Sequence, residues 1–178
     1  MKKSTLISWI LLLVLETLYI NIFDSIGPLI PYYAEATSTP ESRFTVITTM
    51  RGLGYIIGGI VKVNFMKNVS LNKGLAFNGF GAGILTFLFS LTFNIYLMSI
   101  LTFLFSMLLM MMEVFMNISV MSLGKNDVKF WMSLGITFQS FGTIIGPGLI
   151  SLFGITIFGF MGLFLAVWSL GFMFVPQF

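Results

Sequence analysis

The sequence predicts an all-α, polytopic membrane protein, a bundle of six transmembrane helices in one domain covering residues 1–178. Three observations predict it. Hydrophobic residues make up 57% of the 178 residues and charged residues only 8%, where a globular domain carries roughly a quarter. With a mean hydropathy of +1.02, the chain holds too few charges to cover a water-facing surface, so lipid is its expected solvent. The apolar residues fall into runs of about 20, the length a bilayer core requires. Finally, the lysines occur in alternate breaks between those runs.

The spans lie near 5–33, 44–65, 74–93, 95–123, 130–153 and 154–175. The first is the least regular: its apolar run from Leu6 to Leu15 meets Glu16, then Asp24, Gly27, Pro28 and Pro31. Lys2 and Lys3 before an apolar run fit a signal peptide, but no small-residue cleavage pattern follows, so the helix is expected to stay. The break from Ala34 to Arg43 holds Glu35, Thr37, Ser38, Thr39, Pro40 and Glu41, with Pro40 as breaker. Lys62 to Lys73 holds three lysines and three asparagines. Asn94 marks a very short turn, and Gly124-Lys125-Asn126-Asp127 a longer one with Gly124 placed as helix terminator. The break near Gly154 is almost silent, because both flanks are apolar.

Six crossings put the N-terminus, the 62–73 loop, the 124–129 loop and the C-terminus on one side. That side holds Lys2, Lys3, Lys62, Lys67, Lys73, Lys125 and Lys129, against Arg43 alone on the other. Seven against one is a positive-inside pattern. Both termini are therefore expected in the cytoplasm, or in the matrix of a mitochondrion. Abundant Phe (21) and Met (13) suit an A/T-rich coding sequence such as an organellar one.

Several functions are disfavoured. Without cysteine there is no disulfide, thiolate metal site or Cys nucleophile. Without histidine the commonest metal ligand and general base are gone. Gly79-x-Gly81-x-Gly83 lies in an apolar span and lacks a nucleotide-binding context. The lysines form no stripe of the kind that binds nucleic acid. No enzyme, cofactor, metal or nucleic-acid partner is expected; the expected partners are the lipid bilayer and another membrane subunit or second copy.

Charges inside a span are costly and are functional candidates by default. They are Glu16, Asp24, Arg51 and Glu113. At ~1.5 Å per residue, Glu16 lies roughly 20 Å from the inner end of its helix, and Glu113 and Gln139 roughly 15 Å from theirs. All three then sit near the midplane. Asn117 follows Glu113 by four residues, on the same helix face. Glu16, Glu113, Asn117 and Gln139 are the candidate solute- or proton-binding groups, expected on one polar patch. Asp24 and Arg51, at similar depth nearer the outer side, are expected to form a structural ion pair. Gly54-x-x-x-Gly58 on the second helix and Gly142-x-x-x-Gly146-Pro147 on the fifth are expected to let backbones approach closely. Pro28 and Pro147 leave the carbonyls of Asp24 and Thr143 without helical partners.

The pattern resembles the N-terminal six-helix half of a major facilitator superfamily transporter. The resemblance rests on Asp24 to Pro31, on Arg51-Gly52-Leu53-Gly54-Tyr55-Ile56-Ile57-Gly58-Gly59, and on Phe138 to Pro147. Glu113-x-x-x-Asn117 is similar to the acid-then-asparagine pattern of the sugar-transporting branch. The stretch from Gly59 to Lys73 departs from the family by lacking an acid. The resemblance implies transport of a small polar solute by a half that needs a second half or self-association. The alternative expectation is a transporter-derived structural subunit of a large membrane complex, such as a mitochondrial respiratory assembly.

Six crossings carry a direct test. A reporter fused after Phe178 and another inserted near Ser38 are expected on opposite sides of the membrane; finding both on one side refutes the count.

Overall fold

A computed structural model describes residues 3–66, 69–123 and 127–175. They form six α-helices: α1 (Lys3–Thr37), α2 (Thr45–Met66), α3 (Leu71–Ser90), α4 (Ile95–Leu123), α5 (Val128–Phe153) and α6 (Ile155–Leu170), with 3₁₀ turns at Glu41–Phe44 and Gly171–Phe174. Among the described residues there is no strand. The helices follow the predicted spans closely. They differ mainly in α1, which runs past the predicted end to Thr37, and in α3, which is shifted to Leu71–Ser90 and so contains Lys73. Lys2, Lys67 and the Gly124-Lys125-Asn126 turn lie outside the described residues.

Local chemistry explains the breaks. α1 ends where Ser38 takes a positive φ of 51° and the Thr39 N–H donates to the Ala34 carbonyl at 3.0 Å, with Pro40 beyond. Asn94 is more than a turn residue. Its Oδ1 accepts the N–H groups of Tyr96 (3.0 Å) and Leu97 (3.2 Å), capping the start of α4. Gly154 stands alone between α5 and α6 with φ +65° and ψ −156°. That region is open essentially to glycine only, which explains how an apolar sequence changes direction without a polar loop.

Four helix pairs hold the bundle together, α3–α6, α2–α4, α1–α5 and α3–α4, and glycine faces make the first three. On α2, Cβ atoms added at Gly54 and Gly58 would run into the backbones of Phe103 and Met107 on α4. On α5, Gly142 and Gly146 meet Thr17, Ile20, Asn21 and Ser25 of α1. On α3 and α6, Gly83 and Gly162 face each other's backbone, with Gly79 against Ser169 and Gly159 against Ser90. The contact order shows α1 parallel to α5, α2 parallel to α4, and α3 antiparallel to α6. Successive reversals of direction at each break produce this arrangement. The bundle ends agree. Trp168 Nε1 donates to the Leu11 carbonyl (3.1 Å), and Asn72 Nδ2 to those of Phe172 (3.1 Å) and Val175 (2.8 Å). The starts of α1 and α3 thus meet the end of α6. At the opposite end the Tyr33 hydroxyl donates to the Phe89 carbonyl (3.1 Å).

Among the described residues, five helical segments are long and apolar enough to cross a membrane: Ile7–Thr37, Glu41–Lys62, Ile95–Ser122, Val128–Phe153 and Ile155–Phe174. α3 is not among them, because Asn72, Lys73, Asn78 and its glycines dilute its apolar residues. It is nevertheless well buried between α4 and α6, and Asn72 and Asn78 spend their amides on carbonyls inside the bundle. Large apolar side chains such as Ile56, Ile60, Ile144, Leu152 and Val167 stand exposed on the outside, as suits a lipid-facing surface.

The glycine contacts differ in what a methyl group would meet. Gly83→Ala pushes against α6 backbone, whereas nothing lies within 4 Å at Gly148. Gly83→Ala is expected to cost about 1–3 kcal/mol, read as earlier unfolding in a denaturing-detergent titration. Gly148→Ala is expected to be neutral or slightly stabilising; equal losses would contradict the α3–α6 contact.

Candidate functional site

α1, α2 and α4 each send one polar side chain to a common point. Tyr19 of α1 donates its hydroxyl to Glu113 Oε2 of α4 at 2.8 Å. Tyr55 of α2 donates to the same oxygen. The two hydroxyl oxygens are 3.5 Å apart. Tyr19 is buried, while Tyr55 and Glu113 are half-buried. The geometry depends on the Gly54 and Gly58 contacts, which hold α2 close to α4 on either side of Tyr55. Glu113 Oε1 receives no hydrogen bond among the described residues, so one carboxylate oxygen is held and the other is available.

An aromatic row extends from this point. Phe23 lies 6.2 Å from the Tyr19 ring and 5.5 Å from the Tyr55 ring. Beyond it, the Arg51 guanidinium sits 4.5 Å over the Phe23 ring centroid. Its Nη1 donates to the Phe23 carbonyl at 2.9 Å. The expected Asp24–Arg51 ion pair therefore needs correction. Among the described residues no ion pair links the two. The ring face and carbonyl of Phe23 take up the guanidinium in place of the neighbouring carboxylate.

Glu16 is 3% exposed. It lies one turn before Tyr19 and is wedged against Gly135 of α5, where a Cβ would strike its carboxylate. Glu16 Oε2 is buried without a hydrogen bond. Asn117 is half-buried one turn beyond Glu113, and Gln139 is half-buried on α5; neither makes a side-chain hydrogen bond among the described residues. The structure thus brings Tyr19 and Tyr55 onto Glu113, seats Glu16 against α5, and ties no contact from the Glu113 cluster to Asn117 or Gln139 among the described residues. Gly54, Gly58, Gly142 and Gly146 make the close helix contacts already described, and Pro147 follows Gly146 on α5.

Sequence reasoning missed Tyr19 and Tyr55 as site residues. A signal was present: tyrosines favour the membrane interface, and a mid-span hydroxyl needs a hydrogen-bond partner. The polar side of α1 facing α5 is a different surface. There Thr17 and Asn21 bond to α1 carbonyls, at 3.0 Å to Leu13 and 2.7 Å to Thr17. They line an apolar cleft of about 380 Å³ shared with Ile145, Leu149, Phe160 and Phe164. None of the candidate solute- or proton-binding residues lines it.

Compared with known proteins, the chain matches no family model, no curated protein and no solved structure.

Two double-mutant cycles distinguish these contacts, with unfolding free energy in detergent as readout. Tyr19→Phe and Glu113→Gln are expected to couple by about 0.5–3 kcal/mol, since they share a hydrogen bond. Asp24→Asn and Arg51→Gln are expected to add within about 0.5 kcal/mol. Strong coupling in the second cycle would restore the ion pair.

Proposed function

We propose that this chain is a transport unit for a small polar solute, built like one half of a major facilitator superfamily transporter. In this reading α1, α2 and α4 form one wall of the solute path. A second set of helices, from a second copy or another membrane subunit, closes it. The observation that carries the reading is Glu113: a mid-span carboxylate, half-exposed, held through one oxygen by hydroxyls from two other helices. A carboxylate kept only for structure is best served by sealing both oxygens in hydrogen bonds. Here Oε2 is fixed by Tyr19 and Tyr55, and Oε1 is left to accept from a solute hydroxyl or to carry a proton. Preorganisation by two tyrosines lowers the ordering cost of binding. Glu16, buried one turn before Tyr19 on α1, is in this reading the group with which Glu113 exchanges a proton. Asn117, one turn further along α4, extends the wall. Both termini face the cytoplasm or matrix in this reading, following the lysine bias.

A second reading has its own support. Ser133, Thr137, Ser140 and Thr143 are exposed along α5, and hydroxyl-bearing faces suit another protein's helix better than acyl chains. That favours a structural subunit of a larger membrane assembly.

Glu113→Gln, reconstituted in vesicles with its natural partner, separates the two. Transport predicts that solute uptake is lost while assembly is kept. Loss of assembly, with no uptake by the wild type, would favour the structural subunit.

A further inference from the structure

Arg51 is an oddity for a membrane helix. It lies in α2, is half-buried, and has no carboxylate at ion-pair distance among the described residues. Its one hydrogen bond, from Nη1, goes to the Phe23 carbonyl. A guanidinium has five N–H donors in a fixed fork, so most of its donor capacity is unspent among the described residues. A carbonyl and a ring face soften the burial of a positive charge but do not neutralise it, and an uncompensated charge within a span is expensive. The contacts also fix the guanidinium in place. Phe23 holds it from one side, and at Gly27, one turn beyond Phe23 on α1, nothing lies within 4 Å of where a Cβ would be.

Arg51 and Tyr55 are four residues apart on one face of α2, which is about 6 Å along the axis. Tyr55 marks the Glu113 end of the site. A ligand reaching from Arg51 to Glu113 therefore meets a cationic fork at one end and a hydrogen-bond acceptor at the other. The aromatic row of Tyr19, Phe23 and Tyr55 lies between them.

We infer that the solute is a small organic oxyanion, with its carboxylate or phosphate bound by the Arg51 fork and a hydroxyl or other donor group bound by Glu113. The inference rests on the transport reading above but is tested by binding. Arginine suits this task because its planar fork matches an oxyanion bidentately. A bound anion also removes the burial penalty that Arg51 otherwise bears, so the site is more stable when filled.

The test uses the whole chain in phosphatidylcholine nanodiscs, with its own tryptophan fluorescence followed during heating. The probes are potassium succinate and inorganic phosphate, with potassium chloride at matched ionic strength, glucose and choline chloride as controls. At least one oxyanion is expected to raise the melting temperature by about 2–4 °C, while the three controls do not. Arg51→Gln is expected to abolish the rise. Arg51→Lys, which keeps the charge and loses the fork, is expected to retain a smaller one, and it serves if Arg51→Gln does not fold. Glu113→Gln is expected to keep an anion-dependent rise even where uptake is lost, so binding and transport fail separately. The inference is overturned if neither oxyanion shifts the wild type, if the rise is undiminished in the Arg51 variants, or if glucose or choline produces an equal rise. Loss of the shift when phosphatidylglycerol is included would assign the anion to a lipid headgroup and overturn the solute.

Discussion

Everything in this bundle depends on backbone meeting backbone at glycine. In lipid the hydrophobic effect does not drive helices together, because acyl chains are as apolar as leucine, so association relies on close packing and on hydrogen bonds. The chain meets that constraint three times, with α2 on α4 through Gly54 and Gly58, α5 on α1 through Gly142 and Gly146, and α3 on α6 through Gly83 and Gly162. Each approach is so close that a single methyl group would strike a neighbouring backbone or side chain. The helices outside these seams stay free to carry bulky apolar side chains outward, and they do, at Ile56, Ile144 and Val167 among others.

The same seams place the polar groups. α1 is the least regular span in sequence because it faces protein on several sides, touching α4, α5 and α6. Its Glu16, Thr17, Asn21 and Ser25 turn toward the glycine face of α5, which has no side chains to obstruct them. Its Tyr19 and Phe23 turn toward α2 and α4. Stacking of Trp9 on Trp131, with ring centroids 3.8 Å apart and planes nearly parallel, anchors the first turns of the same α1–α5 pair. A helix read in isolation as interrupted by polar residues is thus the one around which the polar contacts are organised. α3 makes the same point more modestly, since its asparagines are buried inside the bundle rather than shown to lipid.

Glu113 and Arg51 illustrate two ways of keeping a charge in a span. Glu113 collects hydroxyls from two helices on one oxygen and leaves the other open. Arg51 leans on an aromatic face and a carbonyl, with no carboxylate among the described residues at ion-pair distance. Both arrangements hold the group in position without neutralising it, and both sit beside the same row of rings.

The sequence by itself determined the helical class and the number and order of helices, because span length and polar breaks are properties of the chain read one residue after another. It also pointed to Gly54, Gly58, Gly142 and Gly146 as packing faces, since a spacing of four marks one side of a helix. Tertiary structure decided which helix each face meets, and therefore which side chains share a site. Periodicity reports the face of a residue but not its partner, so two mid-span hydroxyls signalled that Tyr19 and Tyr55 need partners without saying that the partner is Glu113. For the same reason, equal depth suggested that Asp24 and Arg51 would pair. Depth is one coordinate of three, and the rotation of α1 presents Phe23, not the carboxylate beside it, to the guanidinium.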